Sequence, residues 1–96
     1  MDVRDGPVSE ARVNPARRPV STASILVEVQ DERMRQDIKW GSQRHLAPEK
    51  WVAILGEEFG ETARAVLEHD PDHEREELIQ VAAVAVARVE AIDAGR

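Results

Sequence analysis

Residues 78–92 read LIQVAAVAVARVEAI. Up to Arg88 and Glu90 the stretch is almost wholly alanine, valine, isoleucine and leucine. Val81, Val84, Val86 and Val89 are β-branched and would suit a strand. The run lasts about fifteen residues without a turn signal, however, and that length favours a helix. A helix apolar nearly all round is expected to be buried on most sides, and its alanines allow neighbouring helices to come close. Gly95 is placed to end it.

Two more helices are expected upstream. Asp70, Pro71 and Asp72 form a short turn, with Asp72 expected to cap the third helix and Glu74, Glu76 and Glu77 near its positive end. Before the turn, Trp51, Ile54, Leu55, Phe59, Ala63, Val66 and Leu67 recur at helical spacing, from Pro48 in a first helical turn to about Glu68. A first helix runs from a cap at Ser21, Thr22 or Ser24 to about Lys39, and Gly41 and Ser42 break it. Its apolar side is read as Ile25, Leu26, Val29 and Met34, and its charged side as Glu28, Asp31, Glu32, Arg33 and Arg35. Residues 1–20, with Gly6, Pro7, Asn14, Pro15 and Pro19, read as a flexible arm, leaving residues 21–96 as the helical domain. The fold class is therefore all-α. Three helices of this length are too few to enclose the third one, so a bundle completed by a second chain is expected.

The 96 residues fit one small domain. The absence of cysteine removes disulfides, thiolate zinc sites and cysteine nucleophiles. No apolar run approaches the roughly 20 residues needed to span a bilayer, and the N-terminus lacks the apolar core of a secretory signal. A cytoplasmic protein without a membrane partner is expected. Residues 1–20 hold four arginines against three acids, a net of +1, so the rest carries −7 of the overall −6. An acidic body argues against DNA or RNA as a partner, because backbone binding needs clustered lysine and arginine. It agrees better with a site that collects metal cations.

Glu57, Glu58 and Glu61 fall in the middle of the second helix, where both Glu57 and Glu58 can converge with Glu61. Glu58 lies beside the apolar stripe, and a carboxylate turned toward a core is costly unless paired or metal-bound. On the third helix Glu77 and Gln80 are three apart and face one way. An antiparallel pairing, which the short turn requires, brings Glu58 and Glu61 near Glu77 and Gln80. Magnesium favours such oxygen ligands and completes its shell with waters and substrate phosphates. The plain alternative is a solvated acidic face, the ordinary fate of helix glutamates.

The segment Glu57-Glu58-Phe59-Gly60-Glu61, followed after fifteen residues by Glu77-Leu78-Ile79-Gln80, resembles the MazG-like branch of the all-α nucleoside triphosphate pyrophosphatases. Their signature is EExxE, a variable spacer, then ExxD. The resemblance covers roughly Ile25 to Asp93. It implies a helical domain that assembles as a dimer or tetramer. It also implies Mg²⁺-dependent (or Mn²⁺-dependent) hydrolysis of a nucleoside triphosphate to monophosphate and pyrophosphate. By motif position Glu58, Glu61 and Glu77 would be metal ligands. Glu57 would be a ligand or would orient the attacking water, and Glu57 or Glu58 could take its proton. Gln80 stands where the motif has Asp; its amide oxygen can still ligate magnesium but adds no charge.

The stretch from Gln36 to His45 resembles the family's nucleotide-binding region more loosely. There Trp40 could stack on a base, Lys39 and Arg44 could meet phosphates, and Gln43 or His45 could read base edges. The plain alternative for Trp40 is an anchor for the loop. His69 and His73 read as solvated turn residues. Two other functions compete: a nucleotide-binding or sensing protein with weakened catalysis, motivated by Gln80, and a structural module that dimerises through its third helix.

Overall fold

The computed structural model describes residues 20–96, which form three helices: α1 (Thr22–Trp40), α2 (Pro48–Leu67) and α3 (Pro71–Asp93). The arm expected over residues 1–20 lies outside the described residues, apart from Val20. No helix among the described residues is long and apolar enough to cross a membrane.

Each helix begins on a local signal. The Ser21 hydroxyl accepts the Ser24 N–H at 3.1 Å, which settles the first cap among the three candidates. Pro48 occupies the first turn of α2, where its missing N–H costs nothing. The expected cap of α3 is corrected: Asp70, not Asp72, accepts the His73 N–H at 3.1 Å. Pro71 explains the shift, since proline suits the first helical position and makes the preceding aspartate the cap. The tight α2–α3 turn has His69 at φ 56°, in the left-handed region.

Helix α3 is the centre of the fold. It packs against both α1 and α2, which do not pack on one another. Its buried stripe is Ala83, Val84, Ala87 and Ala91. Trp51 of α2 closes on Val84, Ala87 and Ala91, with Leu46, Ile54 and Leu55 against the same cluster. Small residues on α3 let the indole settle between the helices, leaving Trp51 only 3 % exposed.

One packing expectation is corrected. Helix α1 does not turn its apolar side inward: Ile25, Leu26 and Met34 are exposed, and only Val29 of that set is buried. Glu32 and Gln36, 8 % and 6 % exposed, take the inner face instead. The reason lies in α3, which offers α1 polar partners. Arg75 makes two bonds to Glu28 at 2.8 and 2.6 Å, Gln80 meets Gln36, and Glu90 meets Arg33. As expected of only three helices, α3 is not enclosed within one chain: Leu78, Val86, Val89 and Ile92 are exposed.

Candidate metal centre

Because α1 and α2 touch α3 and not each other, an open groove runs between them with α3 as its floor. Its volume is about 710 Å³. From α3, Glu77, Gln80 and Val84 line it at one-turn intervals. From α2, Lys50, Ile54, Glu57, Glu58 and Glu61 line it, again at helical spacing. Helix α1 and the following loop add Glu32, Arg35, Gln36, Lys39, Trp40, Arg44 and Leu46. The antiparallel hairpin thus puts the glutamates at one end of the groove and Lys50 toward the other.

At the acidic end, one carboxylate oxygen each from Glu58, Glu61 and Glu77 lies within 4.8 Å of the others. Glu77 comes from the first third of α3 and is mostly buried. Its Oε1 is 3.2 Å from His73 Nε2, and its Oε2 is buried with no hydrogen-bond partner. Loss of water around Glu58, then its contact with Glu77 and the charges of Glu61 and Glu57, push the Glu58 carboxyl up to about 7. Glu61, at the surface, is raised mainly by its contact with Glu77. A buried acceptor with no donor, in a set of oxygen ligands, is the chemistry that fits a hard divalent cation.

These shifts set a pH dependence. A carboxyl whose pKa is higher in the folded chain than its ordinary 4.5 stabilises the fold fully below about pH 4.5. That contribution is lost as pH rises through about 7. The metal-free chain is therefore expected to melt at a progressively lower temperature between pH 5 and 7. Glu58→Gln, which keeps the neutral form at every pH, should flatten the trend in thermal melts with chelator.

The remaining expected site residues divide. Glu57 is exposed on the groove wall beside the cluster and is not one of its three members. Gln80 lines the groove and its Oε1 accepts a bond from Gln36 Nε2 at 3.3 Å. Lys39, Trp40 and Arg44 all reach the groove. Trp40 is not a loop anchor: it is 59 % exposed, with Lys39 Nζ 4.8 Å from the ring centroid. Gln43 does not reach the groove. It adopts φ 55° and lines a second cavity of about 270 Å³ beside Trp51 and Glu90. The left-handed turn after Gly41 swings it to that side. His73 is exposed, as expected, but belongs to the first turn of α3 and contacts Glu77.

Three polar groove residues were not expected, Glu32, Arg35 and Lys50, and Gln36, which opens the stretch likened to a nucleotide-binding region, carries no expected role of its own. Lys50 was readable, since residues 50, 54, 57 and 61 follow one helical face. Glu32 and Gln36 gave no comparable signal, because polar residues at i, i+4 look like an exposed face. Arg35 pairs with Glu32 at 2.9 Å at the groove wall.

No family model matches the chain, and no curated protein or solved structure matches it either.

Proposed function

We propose that the chain is a Mg²⁺-dependent nucleoside triphosphate pyrophosphohydrolase. The observation that carries this is the cluster of Glu58, Glu61 and Glu77 with the buried, partnerless Glu77 Oε2, at one end of a groove whose walls also hold lysines and an exposed tryptophan. The resemblance of the Glu57–Gln80 stretch to the MazG-like pyrophosphatases supports the same reading. Glu58, Glu61 and Glu77 would hold the cation. When bound, magnesium supplies neutralising charge and a water of lowered pKa. Glu57, exposed beside the cluster, takes the proton of the attacking water. The water oxygen forms a bond to phosphorus, the bond to the bridging oxygen of the leaving pyrophosphate breaks, and nucleoside monophosphate remains. Lys39 and Lys50 offset phosphate charge, and the exposed ring of Trp40, which Lys39 covers on one face, stacks on a base with the other. Such a substrate fits a cytoplasmic protein.

A pyrophosphate-release assay across the common ribo- and deoxyribonucleoside triphosphates, with Mg²⁺ or Mn²⁺, tests the reading. Product from at least one triphosphate is expected. Gln80 in place of a carboxylate favours one alternative, a protein that binds nucleotide without efficient turnover, and binding without product would select it.

The functional unit is proposed to be a homo-oligomer, dimer or tetramer. Support comes from the outer faces of α2 and α3, where Val52, Phe59 and Val66 and then Leu78, Val89 and Ile92 stand exposed at helical spacing, with Phe59 69 % exposed. Gly56 and Gly60 lie on the same side of α2, and a Cβ at either would meet nothing within 4 Å. Each mid-helix glycine costs about 1 kcal/mol relative to alanine. Close approach of another helix would account for them. Val89→Glu should convert the oligomer to monomer in light scattering; a wild-type chain that is monomeric at tens of micromolar contradicts this assembly.

A further inference from the structure

Gln80 departs from the ExxD pattern, and the bonds around it fix which end of its amide is available. Arg33 is held by Glu90 Oε1 at 2.9 Å and by Asp37 Oδ1 at 3.0 Å. A guanidinium only donates. Arg33 Nη1 meets the amide of Gln36 at 3.4 Å, so Gln36 must turn its oxygen toward Arg33 and its NH₂ the other way. That NH₂ lies 3.3 Å from the Gln80 amide, which must therefore present its oxygen. The Gln36 side that makes both bonds is buried between α1 and α3, so the order of donors and acceptors is set by the ion pair at the far end. One lone pair of Gln80 Oε1 is thereby engaged. Its Nε2 is turned away from Gln36, has no acceptor among the described residues, and is not among the buried orphan atoms.

This amide lines the groove one turn beyond Glu77 and one turn before Val84, between the acidic end and the end that holds Lys50. Resting on the nucleotide reading above, we propose that Gln80 donates a hydrogen bond to a phosphate oxygen of the bound triphosphate and is not a metal ligand. Gln36 and Arg33 act as positioning residues that hold the donor end of the amide toward the groove. Two features favour this over ligation. An oxygen already accepting from Gln36 is a poorer electron donor to a cation. And phosphate oxygens only accept, so passing four glutamates they gain from a neutral donor where an aspartate would add repulsion.

Calorimetric titrations on the full chain separate the two roles, with Mg²⁺ alone and then with inorganic tripolyphosphate at saturating Mg²⁺ as probes. Gln80→Leu is expected to leave Mg²⁺ affinity within about twofold of wild type and to weaken tripolyphosphate by about tenfold, as for a lost bond to a charged acceptor. Gln36→Leu, which leaves Gln80 in place and releases its orientation, should lose part of the tripolyphosphate affinity and none of the Mg²⁺ affinity. A tenfold loss of Mg²⁺ affinity in Gln80→Leu overturns the proposal, and so does unchanged tripolyphosphate binding. Either result with a wild type that binds both probes removes this proposal alone. A wild type that binds neither removes the nucleotide reading with it.

Discussion

Glu77→Gln is expected to lower Mg²⁺-dependent pyrophosphate release by more than about 100-fold and to raise the melting temperature of the chain in chelator. The loss follows from position. Glu77 is the member of the cluster that α3 contributes, and groups that merely orient metal ligands already cost 10- to 100-fold when removed, roughly. The gain in stability has the same origin. Glu77 is mostly buried and one of its oxygens lacks a partner; its contact adds to the loss of water that raises the Glu58 carboxyl and is the main cause of the raised Glu61 carboxyl. One unit of pKa displacement corresponds to about 1.4 kcal/mol. Glu58 is only half-buried, so solvent screening reduces the recoverable part to about 1 kcal/mol. For a domain of this size that is a rise of about 5 °C. An amide also keeps the shape of the side chain. Opposite signs in the two assays are the signature of a site whose charges serve a bound cation and burden the fold. Reduced activity with reduced stability would instead mark Glu77 as a structural residue.

Trp51→Ala is expected to cost about 3–5 kcal/mol, as for other buried aromatic residues cut to alanine. The core has few substitutes. Its other buried hydrophobic members are valines and alanines, and Trp51 is the large side chain that joins α2 to the Val84–Ala91 stripe. A small domain has on the order of 5–10 kcal/mol in total, so the variant should lose about 20 °C or more of melting temperature. Trp51→Phe offers a sharper comparison. The indole Nε1 is buried without an acceptor, so the N–H contributes no bond that phenylalanine would lose. The guanidinium groups of Arg44 and Arg88, 5.4 and 6.0 Å from the ring centroid, would still face an aromatic ring. Phenylalanine should therefore recover most of the loss. Equal destabilisation by both substitutions would mean that the indole N–H has a partner after all.

The fold was legible because its deciding signals are local. The alanine–valine run is too long for a strand, and proline at the first helical positions marks both α2 and α3. The same rule, applied to Pro71, would have placed the cap at Asp70. The packing of α1 was not legible. Its apolar residues point to a conventional amphipathic face, while its real neighbour on α3 is a row of Arg75, Gln80 and Glu90 that selects Glu28, Gln36 and Arg33. Only the partner's chemistry tells a buried polar face from an exposed one. The candidate site was legible where one helix and one short turn fix it: Glu58, Glu61 and Glu77 converge by spacing and an antiparallel hairpin. Lys39, Trp40 and Arg44 reach the groove because α1 and its loop border it. Gln43 does not, since a single left-handed residue reverses the direction of its side chain.

Glu58, Glu61 and Glu77 are proposed to hold a divalent cation. Titration of the full chain with Mn²⁺, followed by the loss of the free-ion electron paramagnetic resonance signal, tests it most directly. Saturable binding by the wild type, displaced by Mg²⁺ and abolished in Glu77→Gln, is the predicted result. Binding that survives Glu77→Gln, or no binding by the wild type, would contradict it.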